Sequence, residues 1–282
     1  MNEFSHAAPA LQTWKLTLAY DGTDFRGWQV QPGEATIQGT LQAALGRITG
    51  EAPLPQGSGR TDAGVHALAQ VASFALRAPI PPANLHRALN RTLPASIRIL
   101  DARTMPSVFH ARHSALAKTY EYRVFMEEKG RGEPCPPFLA RYVYACPWRL
   151  DMDALEDAAG VFLGEHDFIS FAATDPDLTT RNNFSSTEAT PKTEPLEATA
   201  FRTISSSAWE KKATDAGDLL VYRIRGNGFL HHMVRNLVGT MLDVGRHQLQ
   251  PGDIPRILAA HSRSAAGPTA PARGLFLHSV EY

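Results

Sequence analysis

Cysteine is scarce in this chain: two in 282 residues, Cys135 and Cys146, eleven apart and without a Cys-x-x-Cys pair. That usage indicates neither a disulfide framework nor a zinc site and suits a reducing compartment. No apolar run approaches the length needed to cross a bilayer, and the N-terminus lacks the basic start and apolar stretch of a secretory signal, so a soluble, cytoplasmic protein without a membrane partner is expected. Net charge is also missing, because 28 Lys and Arg balance 28 Asp and Glu. This argues against a uniformly basic nucleic-acid binder. Two nucleotide signatures are absent as well. A Walker loop needs Gly-Lys-Ser/Thr after four spacer residues, but Gly64 is followed by Val65-His66. In a dinucleotide fingerprint Asp62 would occupy the place of the third glycine, and the turn runs into a strand pattern rather than a helix.

What is present is uneven in its charge. Residues 98–150 carry nine Lys/Arg against five acids and 219–282 carry seven against three, while 151–218 carry five against fourteen. Basic segments of this kind can line a polyanion site or simply form solvated faces. The length is enough for a sizeable core and two modest halves.

The hydrophobic pattern gives each half a rhythm. Residues 15–20 alternate as a strand; 36–50 read as a helix capped by Thr36, striped by Ile37, Leu41, Leu45 and Ile48 and closed by Gly50. A short extended stretch at 53–56, a strand from Val65 to Phe74, a helix through Leu85, Leu89 and Leu93 stopped by Pro94, and a strand at 97–100 complete a β-α-β-β-α-β order of ferredoxin-like type. The second half offers strands near 118–126, 201–210, 219–226 and 274–282. Its helices start from an Asp151 cap, run through Leu230, Val234, Leu237, Met241 and Val244, and begin again near Asp253. An α/β (α+β) protein with a largely antiparallel sheet follows. The expected division is a flexible extension at 1–13, an N-terminal half at 14–105 and a C-terminal half at 106–282. Residues 174–199, with seven threonines, three prolines and few large apolar groups, are expected to be a disordered insertion.

The stretch 57–74 stands out because a charged, glycine-flanked turn leads straight into a strand. Glycines 57, 59 and 64 permit positive φ and close approach of a ligand, and Arg60 sets a cation two residues before Asp62. An aspartate between glycines is ordinarily a turn residue that bonds nearby amides. Here, though, Gly-Arg-Thr-Asp-Ala-Gly-Val-His-Ala at 59–67 resembles the catalytic motif of the tRNA pseudouridine synthase A family. Lys118-Thr119-Tyr120-Glu121-Tyr122-Arg123 and the block Gly226 to Gly239 match that family in order. Smaller matches occur at Phe109–Arg112, Gly164–Phe168 and Gly274-Leu275.

The resemblance implies the pseudouridine synthase fold, two ferredoxin-like halves sharing a mixed, largely antiparallel sheet with a central cleft. It implies isomerisation of uridine to pseudouridine in the anticodon stem-loop of tRNA, at positions 38, 39 and 40 of the tRNA, by a homodimer that needs no cofactor and no metal. By the same resemblance Asp62 is the nucleophile, Tyr120 lies against the target base, and Arg235 is the ion partner of Asp62. Arg60, His66 and Lys118 join Tyr120 as candidate substrate-binding groups. Asp62 could attack the ribose, attack the uracil ring or assist elimination to a glycal, and all three break the carbon–nitrogen glycosidic bond. His231 and His232 are adjacent and so diverge on a helix, which makes them a poor metal pair.

Two other classes compete on the residues alone. An RNA-binding module without chemistry should carry an aromatic Lys/Arg-Gly-Phe-Gly-Phe strand signature, which is missing. A glycoside-type hydrolase should show two carboxylates with divided roles, and only Asp62 stands out.

Overall fold

The computed structural model describes residues 10–127, 134–173, 200–215 and 217–282. The insertion expected at 174–199, and residues 1–9 of the expected extension, lie outside the described residues. The chain forms a mixed α+β fold whose strands pair mostly antiparallel, and it divides into two compact units.

The first unit comprises residues up to Glu121, with Arg141–Val143 and Ala272–Tyr282. Strand β1 (Gln12–Tyr20) buries Trp14, Leu16, Leu18 and Tyr20 on one face, the period-two pattern of a half-buried strand. It starts two residues inside the stretch expected to be flexible, because Gln12 and Thr13 pair with Leu76 and Ala75 of the neighbouring strand and the Gln12 side-chain Nε2 donates to the Met105 carbonyl at 3.1 Å. Helix α1 (Ile37–Thr49) is capped by the Thr36 hydroxyl, which accepts from the Gly39 amide, and ends on Gly50 in the left-handed region. Its stripe puts Ile37, Leu41 and Leu45 in the core, each such burial contributing about 1.5–3 kcal/mol.

Strand β2 is only Gln56–Gly57, since Pro53 and Pro55 have no amide hydrogen to give a ladder. Strand β3 (His66–Leu76), helix α2 (Pro82–Thr92) and strand β4 (Ile97–Met105) follow. β1 lies between β4 and β3 and β2 pairs β3, which is the ferredoxin-like sheet with one stunted strand. The rest of that β3 edge is taken in parallel by the C-terminal strand, with Phe276 opposite His66.

That pairing explains why a division at 105/106 does not hold. The chain beyond Met105 stays bonded to the first unit: the Ala111 amide donates to Ser73 Oγ at 2.9 Å and the Tyr282 hydroxyl to the Ala111 carbonyl at 2.7 Å. The units part instead after Glu121, within strand β5 (Ala117–Met126).

The second unit comprises Tyr122–Ala140 and Tyr144–Pro271. After β5 come the short helix α3 (Pro137–Ala140), strand β6 (Tyr144–Cys146), helix α4 (Met152–Val161) capped by Asp151 as its sequence suggests, and strand β7 (Gly164–Asp167). Long strands β8 (Phe201–Thr214) and β9 (Gly217–Gly226) form a hairpin, with β7 antiparallel to β8. Helices α5 (Met233–Gly245) and α6 (Ile254–Ala259) complete it, and strand β10 (Leu275–Glu281) returns to the first unit. The helix expected through Leu230 starts three residues late, because His232 sits at φ 58° as its left-handed cap. His231 and His232 therefore precede the helix rather than diverging on it, and their ring centroids lie 4.0 Å apart. Among the described residues no helix is long and apolar enough to cross a membrane.

Candidate active site

Asp62 lies in the first unit, in the turn that joins β2 to β3, half-buried beside exposed Arg60 and Ala63. The turn is anchored on both sides of the carboxylate. Before it, the Ser58 amide donates to the Val71 carbonyl at 2.7 Å and the Trp28 amide to the Thr61 carbonyl at 3.0 Å. After it, the Val65 amide closes onto the Asp62 carbonyl at 3.1 Å and the Gly64 amide reaches the Phe25 carbonyl at 3.3 Å.

The loop after β1 presses directly on this turn. A Cβ on Gly22 would stand 2.0 Å from the Val65 carbonyl oxygen, and one on Gly27, at φ +90°, would stand 2.6 Å from that of Thr61. Of the three glycines read as left-handed candidates, only Gly64 is so, at φ +77°. Gly57 is needed for another reason: the buried Trp28 ring would lie 2.6 Å from a Cβ there.

Beneath the turn is a buried polar cluster that the sequence reading missed. The Gln70 amide donates to the Gly59 carbonyl at 3.0 Å and accepts from the Ser58 hydroxyl at 2.6 Å. The hydroxyls of Tyr20 and Thr61 share a hydrogen bond of 2.8 Å. Burial pushes the Tyr20 phenol up to about 12, against the opposing bonds from Thr61 and Gln70. The available signal was a glutamine at a buried register position in an otherwise apolar strand, Ala-Leu-Ala-Gln-Val-Ala.

The other predicted residues take distinct places. Tyr120, 8% exposed on β5, has its phenol raised above the ordinary range by burial first, then by Tyr20 and by the charge of Asp62. It is therefore a neutral phenol at neutral pH rather than a resting phenolate. Lys118, a candidate substrate-binding group, donates one ammonium hydrogen to the Ser58 carbonyl at 2.6 Å and so braces the turn.

His66, also expected to bind substrate, is 1% exposed and stacked on Phe276 with ring centroids 4.7 Å apart. Its Nε2 lies 3.1 Å from the Arg141 carbonyl, while Nδ1 meets both the Gly22 amide at 3.1 Å and Asp21 Oδ1 at 3.2 Å. The first Nδ1 contact suits the neutral ring and the second the imidazolium. Either way the ring ties β3 to the loop after β1 instead of presenting a face to substrate. Burial opposes the charge of Asp21, but the Thr23 hydroxyl and amide, the Tyr142 hydroxyl and His66 together outweigh it and hold the carboxyl below its usual range.

In the second unit, Arg235 stands in the first turn of α5. Its Nε donates to the Ala270 carbonyl at 2.8 Å, and the Ala270 amide returns a bond to the Arg235 carbonyl at 3.1 Å. The stem of the side chain is thereby fixed to the segment that follows α6.

Fold and turn together define an α+β protein that presents one carboxylate from a rigidly anchored glycine turn backed by a neutral phenol. The profile of the family described as tRNA pseudouridine synthase matches residues 17–114 and 158–282. Relatives named tRNA pseudouridine synthase A include one from Solibacter usitatus, 48% identical over 268 residues that cover 95% of this chain and 98% of the relative. Others come from Moorella thermoacetica, 42% identical, and Bacillus pumilus, 40% identical, each covering 95% of this chain and 98% of the relative. The chain belongs to the tRNA pseudouridine synthase family and is an isomerase that acts on uridine in tRNA.

Proposed function

We propose that this isomerase forms pseudouridine at positions 38, 39 and 40 of the tRNA, in the anticodon stem-loop, with Asp62 as its nucleophile. The observation that carries the reading is the anchored turn at 59–67: a lone carboxylate held from both sides by backbone bonds, within the motif that resembles the family's catalytic one. A nucleophile gains most from such fixed orientation.

The target uridine must leave the helical stack, and Arg60, exposed beside Asp62, is suited to hold the phosphate backbone or the vacated space. The Asp62 carboxylate then promotes cleavage of the bond between uracil N1 and the ribose anomeric carbon. The freed base turns within the pocket and rejoins through C5, which gives up its proton while N1 recovers one, so no atom is lost and no redox partner is required. Tyr120, as a neutral phenol, supplies a donor and a flat surface that keep hold of the base through that rotation. Arg235 is proposed as the cation that steadies Asp62 in the working enzyme. That form is proposed to be a cytoplasmic homodimer using neither metal nor cofactor.

The test is to incubate the protein with tRNA transcripts carrying uridine at 38, 39 or 40 singly, and to map pseudouridine by mass spectrometry. Conversion confined to those positions supports the reading. Conversion at other positions overturns the site assignment, and release of free uracil overturns the isomerisation chemistry.

A further inference from the structure

We propose that Gln70 is the positioning residue of the Asp62 turn, acting on the reaction through its bonds to the Gly59 carbonyl and the Ser58 hydroxyl and, by way of Tyr20, on the Thr61 hydroxyl. The proposal rests on the reading of Asp62 as nucleophile. Gln70 is fully buried on β3, where it can touch no RNA.

A primary amide offers two donor hydrogens and an oxygen with two lone pairs. All four are used here. The nitrogen donates to the Gly59 carbonyl at 3.0 Å and, more weakly, to the Tyr20 hydroxyl at 3.5 Å; the oxygen accepts from the Ser58 hydroxyl at 2.6 Å and from the Val71 amide at 3.2 Å. Tyr20 passes the chain on to Thr61 Oγ1. The Gln70 side chain thus bonds two of the four residues that precede Asp62 directly and a third, Thr61, through Tyr20.

The sheet is adapted to put it there. β1 and β3 run in register until Leu18 faces Gln70, and then Tyr20 faces Ala67, so β3 carries one residue more than β1 over this interval. Such a bulge re-aims side chains. Of the titratable groups near it, Tyr20 from β1 touches the amide, Lys118 from β5 bonds the carbonyl of Ser58, and Tyr120 from β5 feels both Tyr20 and the charge of Asp62. A thioether at position 70 would fill the space and orphan the Gly59 carbonyl and the Ser58 hydroxyl. A carboxylate would keep the accepting half and set a negative charge against the Gly59 carbonyl.

The experiment compares Gln70→Met, Gln70→Glu and Tyr20→Phe with the unaltered protein, using transcribed tRNA at temperatures well below each melting transition. For Gln70→Met the single-turnover rate at saturating tRNA should fall about a hundredfold, the cost of a small misplacement, while the dissociation constant for tRNA stays within about threefold. Gln70→Glu should be slow at neutral pH and recover as pH falls, because a protonated carboxyl regains a donor; Gln70→Met should show no such recovery. Tyr20→Phe should cost about tenfold in the same rate.

A folded Gln70→Met with a near-normal rate, or a loss that appears in tRNA affinity instead of rate, overturns the proposal. If Gln70→Met does not fold, the pH recovery of Gln70→Glu and the rate of Tyr20→Phe decide in its place, and absence of both effects overturns it. Asp62→Asn in the same assay separates the two readings: an active Asp62→Asn refutes the nucleophile, whatever the Gln70 variants do.

Discussion

The blocks at 59–67 and 226–239 both carry a charged residue in or just beyond a glycine-bearing turn, yet the chain secures them differently. In the first unit the turn runs into a strand, takes its left-handed step at Gly64, and rests on a buried polar cluster of Tyr20, Ser58, Thr61 and Gln70, with half-buried Lys118 beside it. In the second unit the turn runs into a helix, takes its left-handed step at His232, and is held largely by close backbone packing. A Cβ on Gly239 would fall 1.6 Å from the Pro268 carbonyl oxygen. The buried Asn236 amide adds bonds to the Phe171 carbonyl, Arg263 and Thr269. The difference follows from the cargo. For Asp62, the proposed nucleophile, attack in one direction calls for a backbone fixed by directional bonds, whereas Arg235 is held through its own guanidinium, whose Nε bonds the Ala270 carbonyl.

The sharpest way to break this contrast is Asp62→Asn. The amide keeps the shape of the turn and loses the nucleophile, so folding and tRNA binding should persist while pseudouridine formation falls by at least about a thousandfold. A rate within about tenfold of the unaltered enzyme, only about 1.4 kcal/mol of barrier, would remove Asp62 from the chemistry.

Next in size is Arg235→Lys, which keeps one charge and loses the planar fork. The expected outcome is a single-turnover rate lowered about a hundredfold with tRNA affinity less affected. Should affinity fall with a shallower salt dependence while the bound rate is unchanged, Arg235 is a phosphate contact.

Gly239→Ala tests the packing side of the comparison. The added methyl meets backbone rather than a movable side chain, so denaturant unfolding should show a loss of about 1–3 kcal/mol. An unchanged unfolding midpoint would mean that α5 can shift away from Pro268 at little cost.

The smallest effect is expected from deleting 176–198, a stretch outside the described residues whose composition offers few core groups. Stability should change by less than about 1 kcal/mol, read as the midpoint of a urea transition. A large fall in that midpoint would show that the segment packs.

Local chemistry in the sequence was enough to locate the Asp62 turn, the caps at Thr36 and Asp151, the stripes of α1 and α2, and the β-α-β-β-α-β order of the first unit. These features depend on residues a few positions apart, whose periodicity and hydrogen-bonding habits are legible in a linear text. Tertiary structure alone decided that β10 pairs with β3, that the units part within β5, that buried His66 ties β3 to the loop after β1, and that Lys118 bonds the Ser58 carbonyl. It also brought Tyr20, Gln70 and Lys118 together under Gly59. Each of those outcomes joins groups far apart in the chain through a strand register or a buried hydrogen bond. A register slip of one residue would turn the same side chains to the opposite face, so these polar groups have their partners only in the native register of the sheet.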